Sequence, residues 1–156
     1  MTQESPQTQA AAIVAAQRWL ALATTDDQGV PHISYAPFAP VPGAFGIAVS
    51  RLAQHTAQLL AGKPAAIMLV GSSANGDAYA QARFSVDVVP RVRPPESAQA
   101  REIWKALEAR HGETAGVLRT LSDFQAIALE PTGGRLVLGF ASAHSVDAAS
   151  IREMLR

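Results

Sequence analysis

The segment "SRLAQHTAQLLAG", Ser50 to Gly62, carries a hydroxyl, a cation and an imidazole within a few residues of one another. It follows the apolar run "AFGIAV" with no turn residue between them, which predicts a strand that runs directly into a helix. Ser50, Arg51 and His55 would then lie in the first turns of that helix. There the exposed backbone N–H groups favour an anion such as a phosphate or a carboxylate. The alternative is a serine N-cap on an ordinary amphipathic helix, because serine is a preferred capping residue.

The four histidines differ in what their surroundings suggest. His32 lies in a strand pattern and is expected to pack, and His111 closes a helix, where a cation suits the helix dipole. His55 is the best placed for a functional contact, since it shares a segment with Ser50 and Arg51. His144 is either a weak metal ligand or a surface residue. The sequence has no H-x-H, H-E-x-x-H or glycine-rich phosphate motif, so it predicts no metal site built by the protein and leaves the catalytic residues unknown.

Composition limits the classes of function. A chain of 156 residues fits one compact domain. Lys plus Arg and Asp plus Glu number 13 each, so the formal net charge is zero. The chain therefore lacks the excess positive charge that would predict binding to nucleic acid or to an anionic membrane. The chain has no cysteine, which excludes disulfides and thiolate chemistry and suits a reducing compartment. Its N-terminus lacks the pattern of a signal peptide. These observations predict a cytoplasmic protein.

The remaining pattern is one of strands joined by short turns, with helices between some of them. Ser5-Pro6 begins a helix that reaches about Trp19, since proline is tolerated at the first helical position. Ser97 and Asp147 are placed to cap two later helices. The segment 132–134, "TGG", predicts the turn of a hairpin between "DFQAIALEP" and "RLVLGF". Short turns between consecutive strands favour antiparallel pairing, and about seven such strands are typical of a small closed barrel.

Five segments occur in the order and spacing of one known group: "LATTDDQGVPHISYAPFAP", "SRLAQHTAQL", "ARFSVDVV", "LSDFQAIALEP" and "GGRLVLGFASA". The chain therefore resembles the HutZ/HugZ-type haem-utilisation proteins, a branch of the pyridoxamine 5'-phosphate oxidase-like FMN-binding split-barrel superfamily. The resemblance runs from about Leu20 to Ala143. It implies an antiparallel split β-barrel, mainly β with flanking helices, that forms a homodimer with two equivalent ligand sites along the subunit interface.

The resemblance also implies which residues bind a flavin. In flavin-binding relatives, the strand-to-helix junction after the third strand helps to hold the FMN phosphate. By position this role falls to Ser50, Arg51, His55 and Thr56, with Arg83 of a neighbouring strand as a second cation. The implied set suits a phosphate, which binds cations together with hydroxyl and amide donors. The alternative for Arg83 is the solvated face of a strand.

For the haem branch, the resemblance implies a different set. There a histidine of a C-terminal tail holds the iron, and an aspartate of an "L-x-D-F" motif in the other subunit hydrogen-bonds to that histidine. Asp123 in "LSDF" matches the aspartate. No residue up to Arg156 matches the tail histidine, because His144 follows the "GF-x-x-A" strand almost at once. The alternative role of Asp123 is to end a helical segment or to form a turn.

The sequence thus predicts a single split-barrel domain over residues 1–156, with an N-terminal helix in 1–19, the barrel and inserted helices in 20–143, and a C-terminal helix in 144–156. It favours FMN at the dimer interface, in a flavin-dependent oxidoreductase. Ser50, Arg51, His55, Thr56, Arg83 and Asp123 are the expected cofactor-binding residues. The alternatives are a haem-binding or haem-degrading protein, and a non-enzymatic dimer with a decayed ligand site.

Overall fold

The computed structural model describes residues 4–73 and 75–156. Residues 1–3 of the predicted N-terminal segment, and Ala74 of the "SSANGD" loop, lie outside the described residues. The helices and strands follow one another as α1 Pro6–Ala16, β1 Trp19–Thr25, β2 Pro31–Val41, β3 Ala44–Ser50, α2 Thr56–Leu60, β4 Ala65–Val70, a single 3-10 turn Ala78–Ala80, β5 Arg83–Val92, α3 Ala98–His111, α4 Glu113–Arg119, β6 Phe124–Val137, β7 Ala143–Asp147 and α5 Ala148–Met154.

Six antiparallel strands close into a barrel because β3 pairs with β2 on one side and with β6 on the other. Around the barrel the order is β3-β2-β1-β4-β5-β6, and β7 is added beyond β6. The long strand β6 both closes the barrel and pairs with the added strand β7. Its first residues, Phe124 to Leu129, pair with β3, whereas Gly133 to Val137 pair with β7. The predicted antiparallel split barrel with flanking helices is confirmed.

Alternating apolar side chains fill the barrel, as the period of a strand requires. On β5 the polar and apolar residues alternate, since Phe84, Val86 and Val88 are buried and the intervening polar side chains are exposed. A second apolar layer lies outside the barrel, where α3 and α4 cover β2, β3 and β6. Its members are Ala39, Val41, Ala44, Ala100, Ile103, Trp104, Leu107, Ala115, Ala126 and Ala128.

Three helices begin with capping residues, of which Ser97 and Asp147 were predicted as caps and Ser5 only as part of a helix start. Each cap accepts a hydrogen bond from a backbone N–H three residues further along, which satisfies one of the unpaired donors of the first turn. The capping pairs are Ser5 with Thr8, Ser97 with Ala100, and Asp147 with Ser150.

None of the helices in the described residues is long and apolar enough to cross a membrane.

The predicted turn at residues 132–134 is wrong, because β6 continues through both glycines. The chain reverses later, where the N–H of Leu138 donates to the carbonyl of Ser142 over 2.8 Å. Residues 143–147 then form β7, so that the C-terminal helix begins only at Ala148. A Cβ on Gly134 would lie 3.0 Å from both Phe84 and Ile151. The glycine therefore marks the close approach of α5 to the sheet.

Candidate functional site

The site is built where the end of β3 meets the beginning of β6. Ser50 is the last residue of β3 and pairs with Phe124, the first residue of β6. The Ser50 hydroxyl donates to Oδ2 of Asp123 over 2.9 Å and accepts from the N–H of Leu52 over 3.1 Å. The N–H of Arg51 donates to the carbonyl of Asp123 over 2.8 Å. Both the side chain and the backbone of Asp123 are thus joined to the turn after β3.

The residues after Ser50 form a turn, so the expected helix start at Ser50 is wrong. Helix α2 begins only at Thr56, and His55 precedes it without a side-chain capping bond. The buried Thr56 hydroxyl donates to the carbonyl of Ser50, and the N–H of Ala53 donates to the same carbonyl over 3.1 Å. Ser50 is thereby held in the strand, and its hydroxyl bonds to Asp123 instead of capping α2.

Arg51 supplies the cation of the turn. Its guanidinium Nη2 lies 3.4 Å from Oε1 of Gln125, an almost fully buried side chain on β6. The Gln125 amide in turn donates to the carbonyl of Arg93 over 2.7 Å. Gln125 is not among the residues that the sequence predicts for the site. The sequence feature that could have identified Gln125 is that it is a single amide within the otherwise apolar run from Phe124 to Leu129.

His55 lies half-buried on the same turn. Burial lowers the pKa of its imidazole below the ordinary value of 6.5, because the charged form loses solvation. The neutral ring is therefore favoured near neutral pH, and a neutral imidazole is the form that binds a metal.

Arg83 lies elsewhere on the molecule. It begins β5 and pairs with Val137 at the end of β6, whereas Ser50 pairs with Phe124 at the beginning of β6. The Arg83 guanidinium donates to the carbonyl of Gln81 over 3.3 Å. Within one chain, Ser50, Arg51, His55, Thr56 and Asp123 thus share one region, and Arg83 does not belong to it.

The electrostatics of the site differ from those of an ordinary phosphate site. The carboxylate of Asp123 lies against the Ser50 hydroxyl, so a phosphate placed there would meet a like charge. Within the described residues, Asp123 Oδ1 accepts no hydrogen bond, so it can receive one from an incoming N–H donor. The arrangement combines a carboxylate acceptor, the Arg51 cation and the His55 imidazole at one end of the barrel.

Comparison with known proteins agrees with this architecture. The family profile of pyridoxamine 5'-phosphate oxidase matches residues 6–138. A curated relative, "Heme oxygenase HutZ" of Vibrio cholerae, is 30% identical over 84% of this chain and 75% of its own length. The solved structure of the Vibrio cholerae protein, described as a heme storage protein, superposes with a TM-score of 0.77 at 26% identity, over 87% of this chain and 96% of that chain.

A heme-binding protein of Mycobacterium smegmatis also superposes, with a TM-score of 0.88 at 26% identity over 98% of this chain. This chain spans only 62% of the length of that mycobacterial protein. Fold and site together define a protein of the split-barrel class. The chain belongs to the pyridoxamine 5'-phosphate oxidase family, and within it to the branch that contains the haem-utilisation proteins.

Proposed function

We propose that this protein binds haem, with the Ser50–Asp123 pair at the binding site. The observation that carries the proposal is the Asp123 carboxylate. One of its oxygens is fixed by the Ser50 hydroxyl at 2.9 Å, and the other accepts no hydrogen bond within the described residues. Such a carboxylate can accept the N–H of an imidazole that ligates iron, which orients the ring and raises its basicity.

Other residues of the turn suit the same ligand. Arg51 offers a guanidinium to a propionate, and a guanidinium binds a carboxylate through two parallel hydrogen bonds. The lowered pKa of His55 favours a neutral imidazole beside the site. Bound haem would supply an iron centre for oxygen or redox chemistry. We propose binding rather than a particular reaction, because the Vibrio cholerae relative is described both as an oxygenase and as a storage protein.

FMN is the second candidate, supported by the match to the pyridoxamine 5'-phosphate oxidase profile. Three features of the site argue against its phosphate. Asp123 places a negative charge beside Ser50, the helix expected to begin at Ser50 begins at Thr56, and Arg83 is at the other end of β6. Haem is therefore preferred to FMN at this site, whereas the sequence favoured FMN.

We also propose that the protein is a homodimer. The outer face of β1 and β2 carries Trp19, Ile33 and Tyr35, which are 51%, 80% and 66% exposed. Trp19 and Tyr35 contact each other edge to face, with ring centroids 5.7 Å apart. Ala21 and Ala23 lie opposite Tyr35 and Ile33 on the same face. A second copy of the same face is a complementary occupant, since a two-fold contact brings identical patches together.

A titration of the purified protein with haem and with FMN tests the cofactor. We expect a Soret band that saturates at one haem per chain, and no change in flavin absorbance or fluorescence. Asp123→Asn should weaken haem binding by about tenfold or more, the usual effect of losing the partner of a metal-bound imidazole. Asp27→Asn is the control, because the Asp27 side chain is exposed and pairs with Lys63 instead.

The result separates the candidates. FMN binding without haem binding would support the flavin protein, and binding of neither would support the dimer with a decayed site. Haem binding that Asp123→Asn and Asp27→Asn leave equally unchanged would assign Asp123 to the turn alone.

A further inference from the structure

Two neighbouring cavities lie under α3 and α4, and Trp104 and Phe124 line both of them. The first has a volume of about 190 Å³ and is mainly apolar. Its remaining walls come from α3, α4 and the outside of β2 and β3, and include Pro37, Ala48, Leu107, Ala115 and Leu118. The second, of about 470 Å³, lies between the start of α3 and the connection from α4 to β6.

The second cavity is lined about equally by polar and apolar groups and is bordered by two exposed arginines. Arg101 comes from α3 and Arg119 from the end of α4, and neither forms an ion pair with a carboxylate among the described residues. Arg101 donates to the backbone carbonyl of Glu96 over 2.7 Å, which restrains its guanidinium beside the cavity. Glu96 is the acidic residue of the lining, so two cations face one carboxylate.

We propose that the two cavities form one binding site for a small aromatic carboxylate. The ring would occupy the apolar cavity, since apolar cavities of about 150 Å³ can hold benzene. The carboxylate would extend past Trp104 and Phe124 to Arg101 and Arg119, because guanidinium groups bind carboxylates through charge-assisted hydrogen bonds. The apolar cavity of about 190 Å³ is too small for haem, so the ring would bind apart from haem. The second cavity is lined by Ser122 and Gln125, on either side of Asp123 in the sequence, so the carboxylate end adjoins the proposed haem site.

Calorimetric titration with 3-phenylpropionate, without added cofactor, tests the site. We expect saturable binding of one molecule per chain. The uncharged 3-phenylpropionamide keeps the ring and loses the charge, and propionate keeps the charge and loses the ring. Both should bind at least about tenfold more weakly, since a charge-assisted hydrogen bond and a buried ring each contribute more than the equivalent of that factor.

Variants locate the binding. Arg119→Gln and Arg101→Gln should each weaken binding of 3-phenylpropionate by about tenfold while leaving the amide unaffected. Ala115→Leu should fill the apolar cavity and weaken the binding of both 3-phenylpropionate and its amide. Ala48→Val tests the facing wall of the cavity if the leucine destabilises the fold. Arg135→Gln, on the outer face of β6, is the matched control and should leave binding unchanged.

Three results would overturn the proposal. The first is no saturable binding of 3-phenylpropionate at millimolar concentration. The second is equal affinity for the acid and the amide. The third is binding that neither the arginine variants nor the cavity-filling variants change.

Discussion

Ser50 takes a different role from the one its position suggested, because its hydroxyl donates to Asp123 and does not cap α2. Sequence reasoning included both residues among the candidates, yet assigned them to different ligands. Ser50 belonged to the flavin reading and Asp123 to the haem reading. The pairing of Ser50 with Phe124 brings them together, and this long-range register is not encoded in any local pattern. Residue types were therefore predictable, whereas their contact was not.

His55 should make the stability of the protein depend on pH. Burial lowers the pKa of its imidazole in the folded state below the ordinary value of 6.5. Between the folded pKa and that value the unfolded chain binds more protons, so the free energy of unfolding rises with pH in this range. We expect urea midpoints to fall as the pH falls from about 8 to about 5, and His55→Gln to reduce this fall.

His144→Gln serves as the control for the loss of a histidine, since His144 lies on β7 and contacts Ser142. Titratable groups that the wild-type protein, His55→Gln and His144→Gln share contribute equally to the pH dependence of all three, so their contributions cancel in the comparison. Equal pH dependence in the wild-type protein and in His55→Gln would show that burial of His55 does not affect the proton balance of folding.

At the level of the elements, the sequence predicted regular periodic segments well and irregular ones poorly. The segment "ARFSVDVV" alternates as a half-buried strand does, and it forms β5. The predicted caps Ser97 and Asp147 are confirmed, because a cap depends on neighbouring residues. The turn at residues 132–134 was wrong because a glycine pair is also compatible with a strand. What requires Gly134 is contact with Phe84 and Ile151, which are distant in sequence.

The two adjacent glycines of β6 offer a matched pair of substitutions. A Cβ on Gly134 would lie 3.0 Å from Phe84, Ile151 and the carbonyl of Ser85, whereas one on Gly133 meets nothing within 4 Å. We expect Gly134→Ala to lower the free energy of unfolding by about 1–3 kcal/mol, the usual cost of overpacking. Gly133→Ala should be neutral or stabilising by up to about 1 kcal/mol, since alanine restricts the unfolded chain. Urea denaturation measures both, and equal effects would contradict the proposed close packing of α5.

The whole molecule has an outer sheet face that changes character from one side to the other. It is apolar on β1 and β2, where Trp19, Ile33 and Tyr35 are exposed, and polar on β5, where Arg83 and Asp87 are exposed. Large exposed apolar patches are uncommon on monomers. An apolar half that pairs with its own copy, together with a polar half that stays solvated, would restrict the contact to one region of the barrel.

This arrangement predicts a dimer that a single charge can disrupt. The wild-type protein should have the mass of two chains by light scattering at micromolar concentration. Ile33→Lys should give one chain, because two-fold symmetry places two new ammonium groups in an apolar contact, and burial of an unpaired charge is costly. Val117→Lys, at a 60% exposed position on α4, should stay dimeric. Thermal unfolding of Ile33→Lys must show a cooperative transition, so that loss of the dimer is distinguished from loss of the fold.

Haem titration of the Ile33→Lys monomer then tests whether the Asp123 site is shared between copies. Loss of binding would mean that the partner contributes to the site, and unchanged binding would mean that one chain contains it. A wild-type protein that is monomeric would contradict the proposed homodimer.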